Sequence, residues 1–309
     1  MRRIWGLDQY PADAPPAVVA QGTFDGMHLG HQEVIRTAVE RAGALGAVSV
    51  ALTFDPRPVA VLRPAEAPVE ILPLGERLEL IAGLGAEAAL VIPFTTEFSR
   101  VEAPAFVREV LATLLRAREV VVGFNHTFGF GARGTPELLT EVAGPLGIRV
   151  HVIPPRILGG VLVSSSTIRE ALRQGDVEQA RQLLGRPYSV RGRVVHGAER
   201  GRRLGFPTAN IVPSGGLPLA TGVYAGRAGW DRRSAEAVIN VGVRPTFDES
   251  ALVIEAHLLD HRDDLYDRDV TLMFLARIRP EMRFASVDAL RGRIEEDIRT
   301  ARALLGHAP

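Results

Sequence analysis

The pattern of the chain changes near residue 186, and that change most constrains what it can fold into. Before it, apolar runs at 18–20, 48–54, 88–92, 120–124 and 150–153 alternate with helical patterns near 32–43, 76–84, 103–116 and 136–143. Alternation of this kind predicts a parallel sheet with helices on both faces. Ser99 with Glu102 reads as a capping box for the third helix. Residues 164–185 read as two short helices, parted at Gly175-Asp176 and ended at Gly185. Beyond 186, short alternating segments near 189–195, 222–228, 236–243, 252–259 and 269–275 are separated by turn residues. That spacing predicts a small antiparallel barrel, whose closure removes exposed edges. A last helix, about 286–305, carries apolar residues at 287, 290, 294, 298 and 304 and should pack on the barrel. The fold class is α/β followed by all-β, with one domain at 1–185 and another at 186–309.

All 36 basic residues are arginine, and the chain holds no lysine. A Walker-A phosphate loop and the usual protein-kinase ATP site both need a lysine, so neither is present. Any phosphate must be met by arginine, histidine, backbone amides and a metal ion. The absence of cysteine excludes disulfides, thiolate nucleophiles and iron–sulfur clusters. Acidic residues also number 36, so no net field draws the chain to nucleic acid. No secretory h-region or run of transmembrane length is visible, so no membrane partner and a cytoplasmic location are expected.

The turn at 22–31, Gly-Thr-Phe-Asp-Gly-Met-His-Leu-Gly-His, joins the first strand to the first helix. A glycine-rich turn there places amides and a helix N-terminus where a phosphate can sit. Gly22, Phe24, Asp25 and Gly30 are its candidate phosphate-binding residues, with His28 and His31 as candidate catalytic groups. Asp25, His28 and His31 could alternatively be metal ligands, but no companion ligand motif is evident nearby. The segment 122–131, after the fourth predicted strand, is dense in glycine and aromatics; Phe128 and its neighbours could pack in the core or line a pocket for a flat ring. Ser164, Ser166 and Arg169 offer hydroxyls and a guanidinium at a helix start, which is either an ordinary cap or an anion site. The segment 53–58, Thr-Phe-Asp-Pro-Arg-Pro, reads as a stiff loop beside the site.

In their order, these four segments resemble the FAD synthetase module of the prokaryotic bifunctional riboflavin kinase/FMN adenylyltransferases. The resemblance implies a Rossmann-like nucleotidyltransferase domain. It also implies that His28 and His31 stabilise ATP phosphates, that Asn125 and Phe128 bind flavin, and that Ser164, Ser166 and Arg169 contact nucleotide phosphate. His126 stands where such sequences often carry an aromatic.

In the second half, Gly197, Gly201 and Gly205 surround Arg202, forming a loop whose amides could reach phosphates. Pro207 then fixes the chain so that Thr208 and Asn210 present neutral oxygens suited to a hard cation. By alternation, Ile254, Ala256 and Leu258 form an apolar face, leaving Glu255 and His257 facing water. The run 205–210, with 239–247, 255–260 and 279–284 in order, resembles the riboflavin kinase module of the same family. That resemblance implies Glu255 as general base, Arg244 in flavin binding, and Mg²⁺ as cofactor, with riboflavin, FMN and ATP as substrates. Asp267 stands where the family commonly shows glycine, and His261 where it shows phenylalanine.

Overall fold

The computed structural model describes residues 1–197, 201, 204–245, 250–261 and 264–306, the side chains of 243–245 and 250–252 excepted. Contacts divide it into two units: residues 1–68 with 72–164, and residues 69–71 with 165–309.

In the first unit, β1 (Arg2–Trp5), β2 (Ala17–Gln21), β3 (Val48–Asp55), β4 (Ala88–Pro93), β5 (Glu119–Gly123) and β6 (Arg149–Ile153) form one sheet in the order β1-β4-β3-β2-β5-β6. Every pairing in it is parallel. Successive side chains leave a strand on opposite faces, and here both faces are buried. Val19, Leu52, Leu90 and Val120 pack against Phe106, Val107, Leu111 and Leu139. Those partners come from α4 (Ala103–Phe106), its π-helical continuation Val107–Leu114, and α5 (Pro136–Ala143). Val18, Ala51, Ala89 and Val121 face Val34, Ile35, Leu78 and Ile81 instead. These belong to α1 (Leu29–Leu45) and α3 (Leu74–Gly83); the short α2 (Pro58–Leu62) lies between them in the chain, and β7 (Ile157–Leu158) pairs with β8 (Val161–Leu162) after the sheet. Each such residue contributes about 1.5–3 kcal/mol relative to exposure.

Two local expectations are corrected. Ser99 caps no helix: its hydroxyl donates to Thr96 O at 2.6 Å within the turn Phe98–Arg100, and Glu102 occupies the N-cap without a side-chain bond. Strand β1 escaped the pattern because, on this sheet edge, only Ile4 of its four residues is buried.

The second unit opens with α6 (Ser165–Gln174) and α7 (Val177–Leu184), parted and ended by Gly175 and Gly185 at φ 78° and 71°. By contacts both helices group with the barrel, α7 packing on its strands. The barrel is closed in the order β10-β13-β12-β11-β14-β9. Its strands are β9 (Tyr188–Val195), β10 (Ala209–Pro213), β11 (Gly222–Trp230), β12 (Arg233–Pro245), β13 (Ser250–Leu258) and β14 (Asp269–Arg279). Tyr188 and Tyr224 pack on Phe274 at 5.9 and 5.4 Å, and all three rings are buried. Burial pushes the Tyr224 hydroxyl up to about 12.

The C-terminal helix Val287–Gly306 covers one side of the barrel, where Ala301 and Leu305 meet Val223, Ala225 and Val238. Its buried line differs from the expected stripe. Val287 is 64% exposed and Leu304 39%, while Asp297 is buried at 2%. That aspartate is bound by Arg279, whose Nη2 donates to Oδ2 at 2.8 Å and whose Nε donates at 3.0 Å. A charged residue holds a place that an apolar search passes over.

The His261 ring meets Trp230 edge-on at 4.7 Å. Asp267 takes φ 60°, a left-handed conformation that favours glycine. Its amide donates to Val194 O at 3.0 Å, a bond that glycine retains. Relief of the left-handed strain exceeds the added chain entropy, so Asp267→Gly should stabilise by about 0.5–1 kcal/mol. Urea unfolding checks this; a midpoint that stays or falls contradicts it.

Candidate active sites

In the first unit, strand order reverses between β2 and β5, which places a ligand crevice at their carboxyl ends. The turn at 22–31 follows β2. Gly22 donates to Leu52 O at 3.1 Å, continuing the sheet. Gly26 takes φ 80°, and Phe24 and Met27 adopt φ 53° and 46° while almost fully buried. Left-handed conformations at non-glycine residues cost about 1–3 kcal/mol each, so the surrounding packing enforces the path. Asp25, expected among the phosphate contacts, is buried and paired with Arg57 Nη1 at 2.9 Å. Arg57 Nη2 donates to Pro68 O at 2.6 Å. The stiff loop thus fastens the turn through Asp25.

His28 is the N-cap of α1: its Nδ1 accepts the His31 amide at 3.2 Å. The helix therefore begins at Leu29, three residues before its apolar periodicity. With Nδ1 accepting, the proton of a neutral His28 ring lies on Nε2, where it can be donated. The two imidazoles stack 3.6 Å apart, 18° from parallel. A Cβ at Gly30 would approach His28 Cε1 to 3.2 Å, so this glycine leaves room for the ring. Burial, then His28, then Arg77 hold the His31 pKa well below the usual histidine range. Arg77 is fully buried and donates to Thr23 O at 2.6 Å, which also receives Thr53 Oγ1. Nothing in the helical pattern marks Arg77, because an arginine on an amphipathic helix reads as solvated. Of the residues in the metal-ligand alternative, Asp25 is paired with Arg57 and His28 Nδ1 faces an amide. Among the described residues no cluster of three or more His, Cys, Asp or Glu could hold a metal ion.

After β5, Asn125 is exposed in a turn. Phe128, named as a flavin contact, is buried in the core against Phe106 at 5.8 Å and under His126 at 5.7 Å. The exposed rings are Phe124 and Phe130, at 38% and 39%. Gly129 takes φ 72°, and a Cβ there would meet Ala103 backbone atoms at 2.6 Å. Ser164 ends the first unit. Ser166 is exposed in the first turn of α6, and Arg169 Nε donates to Val69 O at 2.9 Å.

In the second unit a cavity of about 480 Å³ lies against the outside of the barrel. Strand register brings Asn210, Glu255 and Asn240 side by side on β10, β13 and β12, and all three line it. Alternation sends Glu255 and His257 outward, as read from the sequence, but the outer face here is walled rather than open. Gly201, Phe206 and Thr208 form one side, while Phe284, Leu290 and Ile294 bring up the C-terminal segment. A Cβ at Gly197 would stand 2.2 Å from Asn210 Nδ2, so that glycine seats Asn210. Gly205 takes φ 89°. The Pro207 carbonyl accepts from His257 Nδ1 at 2.8 Å. Arg202 and the Arg244 side chain lie outside the described residues. Asn240, His257 and Glu281 line the cavity without having been assigned from sequence; the parity of their strands was the available signal for the first two.

The family described as FAD synthetase matches residues 10–167, and the family described as riboflavin kinase matches 184–305. A Listeria monocytogenes protein called bifunctional riboflavin kinase/FMN adenylyltransferase is 37% identical, over 93% of this chain and 91% of its own. The Escherichia coli K12 protein of the same description is 34% identical, over 99% and 97%. A crystal structure described as a macrolide-efflux protein from Streptococcus pneumoniae matches with a TM-score of 0.88 and 32% identity, covering 98% of this chain and 99% of that one. Among the described residues of this chain, no helix is long and apolar enough to cross a membrane.

Burial holds His126 at about 4. Between pH 6.5 and 4 the unfolded chain, with ordinary histidines, binds more protons than the folded one. Stability is therefore full above pH 6.5 and falls as pH drops through this window. His126→Phe should flatten the slope there by up to about 1.4 kcal/mol per pH unit, measured by urea unfolding. An unchanged slope contradicts the assignment.

Proposed function

This chain belongs to the bifunctional riboflavin kinase/FMN adenylyltransferase family, and we propose that its two reactions run at two separate stations. Residues 186–309 phosphorylate riboflavin to FMN with ATP, and residues 1–185 adenylate FMN to FAD with release of pyrophosphate. One observation carries the first assignment: Glu255 lies in a single cavity with Thr208 and Asn210.

In the kinase step, the terminal ribityl hydroxyl attacks the γ-phosphorus of ATP. A new O–P bond forms, the bond to ADP breaks, and Glu255 takes the hydroxyl proton. Asn240 and Asn210 flank that carboxylate and can orient polar groups of the substrates. Apolar Phe284, Leu290 and Ile294 suit a flat flavin ring in the same cavity. Thr208 and Asn210 offer neutral oxygens fitted to a hard divalent ion that keeps substrate phosphate oxygens as further ligands, and we assign Mg²⁺ to them. Such an ion supplies charge neutralisation on the transferring phosphoryl group. Gly197, Gly201, Arg202, Gly205 and Pro207 are assigned to the nucleotide side, and Arg244 to flavin.

In the adenylylation step, a phosphate oxygen of FMN attacks the α-phosphorus of ATP. No protein nucleophile is needed, and positioning with charge stabilisation does the catalysis. His28, with its proton on Nε2 at the N-terminus of α1, is fitted to donate to a phosphate oxygen. Burial lowers the pKa of His31 beneath it and favours the uncharged ring, so that an incoming triphosphate meets a donor and the helix dipole. Asn125 is assigned to flavin, and Ser164, Ser166 and Arg169 to nucleotide phosphate. Phe24, Asp25 and Phe128 act as supports of the two loops. A cytoplasmic location is part of the same proposal, because riboflavin and ATP must both be at hand.

The two stations can be silenced separately. Glu255→Ala should lower FMN formation by about 10²–10⁴-fold while supplied FMN is still adenylated. His28→Ala should abolish FAD formation and leave FMN formation intact. Chromatographic separation of flavins after incubation with riboflavin, Mg²⁺ and ATP reads both; loss of both activities in either variant refutes the allocation.

A further inference from the structure

His257 has no role in the reactions above, although it lines the same cavity as Glu255, two residues along β13. Its Nδ1 stands 2.8 Å from the Pro207 carbonyl oxygen. A carbonyl has no proton to give, so Nδ1 carries the hydrogen and donates it. Phe206 meets the same imidazole edge-on, at 5.9 Å and 89°. Both contacts come from the segment that leads directly into Thr208. Ladder pairing between β10 and β13 begins only at Ala209, opposite Ala256, and it fixes Asn210 opposite Glu255. Pro207 and Thr208 precede that ladder. The His257 side chain links Pro207 to β13.

We propose that His257 is a positioning residue for the nucleotide side of the kinase cavity. By holding the Pro207 carbonyl, it sets where Thr208 presents its hydroxyl relative to Glu255. The flavin side, walled by Phe284 and Ile294, does not pass through this bond. The inference rests on the kinase reading of the cavity. It also distinguishes the two ring nitrogens: an asparagine amide places a donor close to the position of Nδ1, whereas a glutamine amide places one nearer Nε2.

The test uses the full-length chain with His257→Ala, His257→Asn and His257→Gln. Initial rates of FMN formation are measured against Mg-ATP at saturating riboflavin, and against riboflavin at saturating Mg-ATP. His257→Ala should raise KM for Mg-ATP about tenfold, with KM for riboflavin and the adenylylation of supplied FMN changed by less than about twofold. His257→Asn should recover most of that loss and His257→Gln should not. In ligand-free protein, amide hydrogen exchange over 204–211 should rise in the alanine and glutamine variants and return to the wild-type level with asparagine. An unchanged KM for Mg-ATP, equal rises in both KM values, or an asparagine variant no better than alanine overturns the inference. If the alanine variant does not fold, the asparagine–glutamine comparison decides by the same criteria. A wild-type chain that makes no FMN overturns the kinase reading and this inference together; wild-type FMN synthesis beside an unaffected alanine variant overturns this inference alone.

Discussion

The register that sets Asn210, Glu255 and Asn240 abreast on three antiparallel strands is the constraint on which the rest of the barrel depends. Side chains alternate strictly along a strand, so putting Ile254 and Ala256 inside forces Glu255 out. The inside of this six-stranded barrel is filled by Tyr188, Tyr224 and Phe274 and can hold no substrate. The cavity lies on the outer wall, and chemistry there would need a cover to exclude water. The C-terminal helix provides it, held by Arg279 on Asp297. Both partners are nearly sealed from solvent, and removing one member of such a pair costs about 3–5 kcal/mol. The pair thus ties strand β14, the helix and the cavity into one piece.

The first unit solves its phosphate problem differently, through topology. Strand order alone opens a crevice at β2 and β5, and the turn there is held from below by arginines rather than by lysine. Arg57 fixes Asp25, and Arg77 fixes the Thr23 carbonyl. A planar guanidinium donates in several fixed directions, which lets one buried residue brace two points of a loop. Arg57 does so between Asp25 and Pro68. The histidine pair rests on that frame, His28 as cap and His31 kept uncharged by burial. Under the proposed reading, a chain without lysine in this way offers a triphosphate an imidazole donor and a helix end.

Elements that bury a continuous apolar run were legible in the sequence, because burial on both faces needs no partner to be named. The four central strands and the helices over them follow from that rule, whereas the half-exposed edge strand β6 follows from the strand–helix repeat and five of the six barrel strands from alternation. β1 and β10 did not, being short and mostly half-exposed or exposed. Within the candidate sites, the residues named from the sequence that the structure brings together are Thr208, Asn210 and Glu255, which line one cavity, and His28, which caps the first helix. Residues that act across long sequence separations were not. Arg77 reaches Thr23, His257 reaches Pro207, and Asp297 reaches Arg279; no local pattern encodes such pairs. Phe128, named near a ligand loop, packs in the core of the first unit. Glu255 shows how far alternation goes: it gave the correct face, while only the packed helix reveals that the face is walled.

The central claim is that flavin binds outside the barrel with its reacting hydroxyl at Glu255. A crystal structure with riboflavin, Mg²⁺ and a non-hydrolysable ATP analogue tests it most directly. The account requires the terminal ribityl hydroxyl within about 3.2 Å of the Glu255 carboxylate, and the ion beside Thr208 and Asn210. Riboflavin seated in another cavity, or a ribityl end directed away from Glu255, would contradict it.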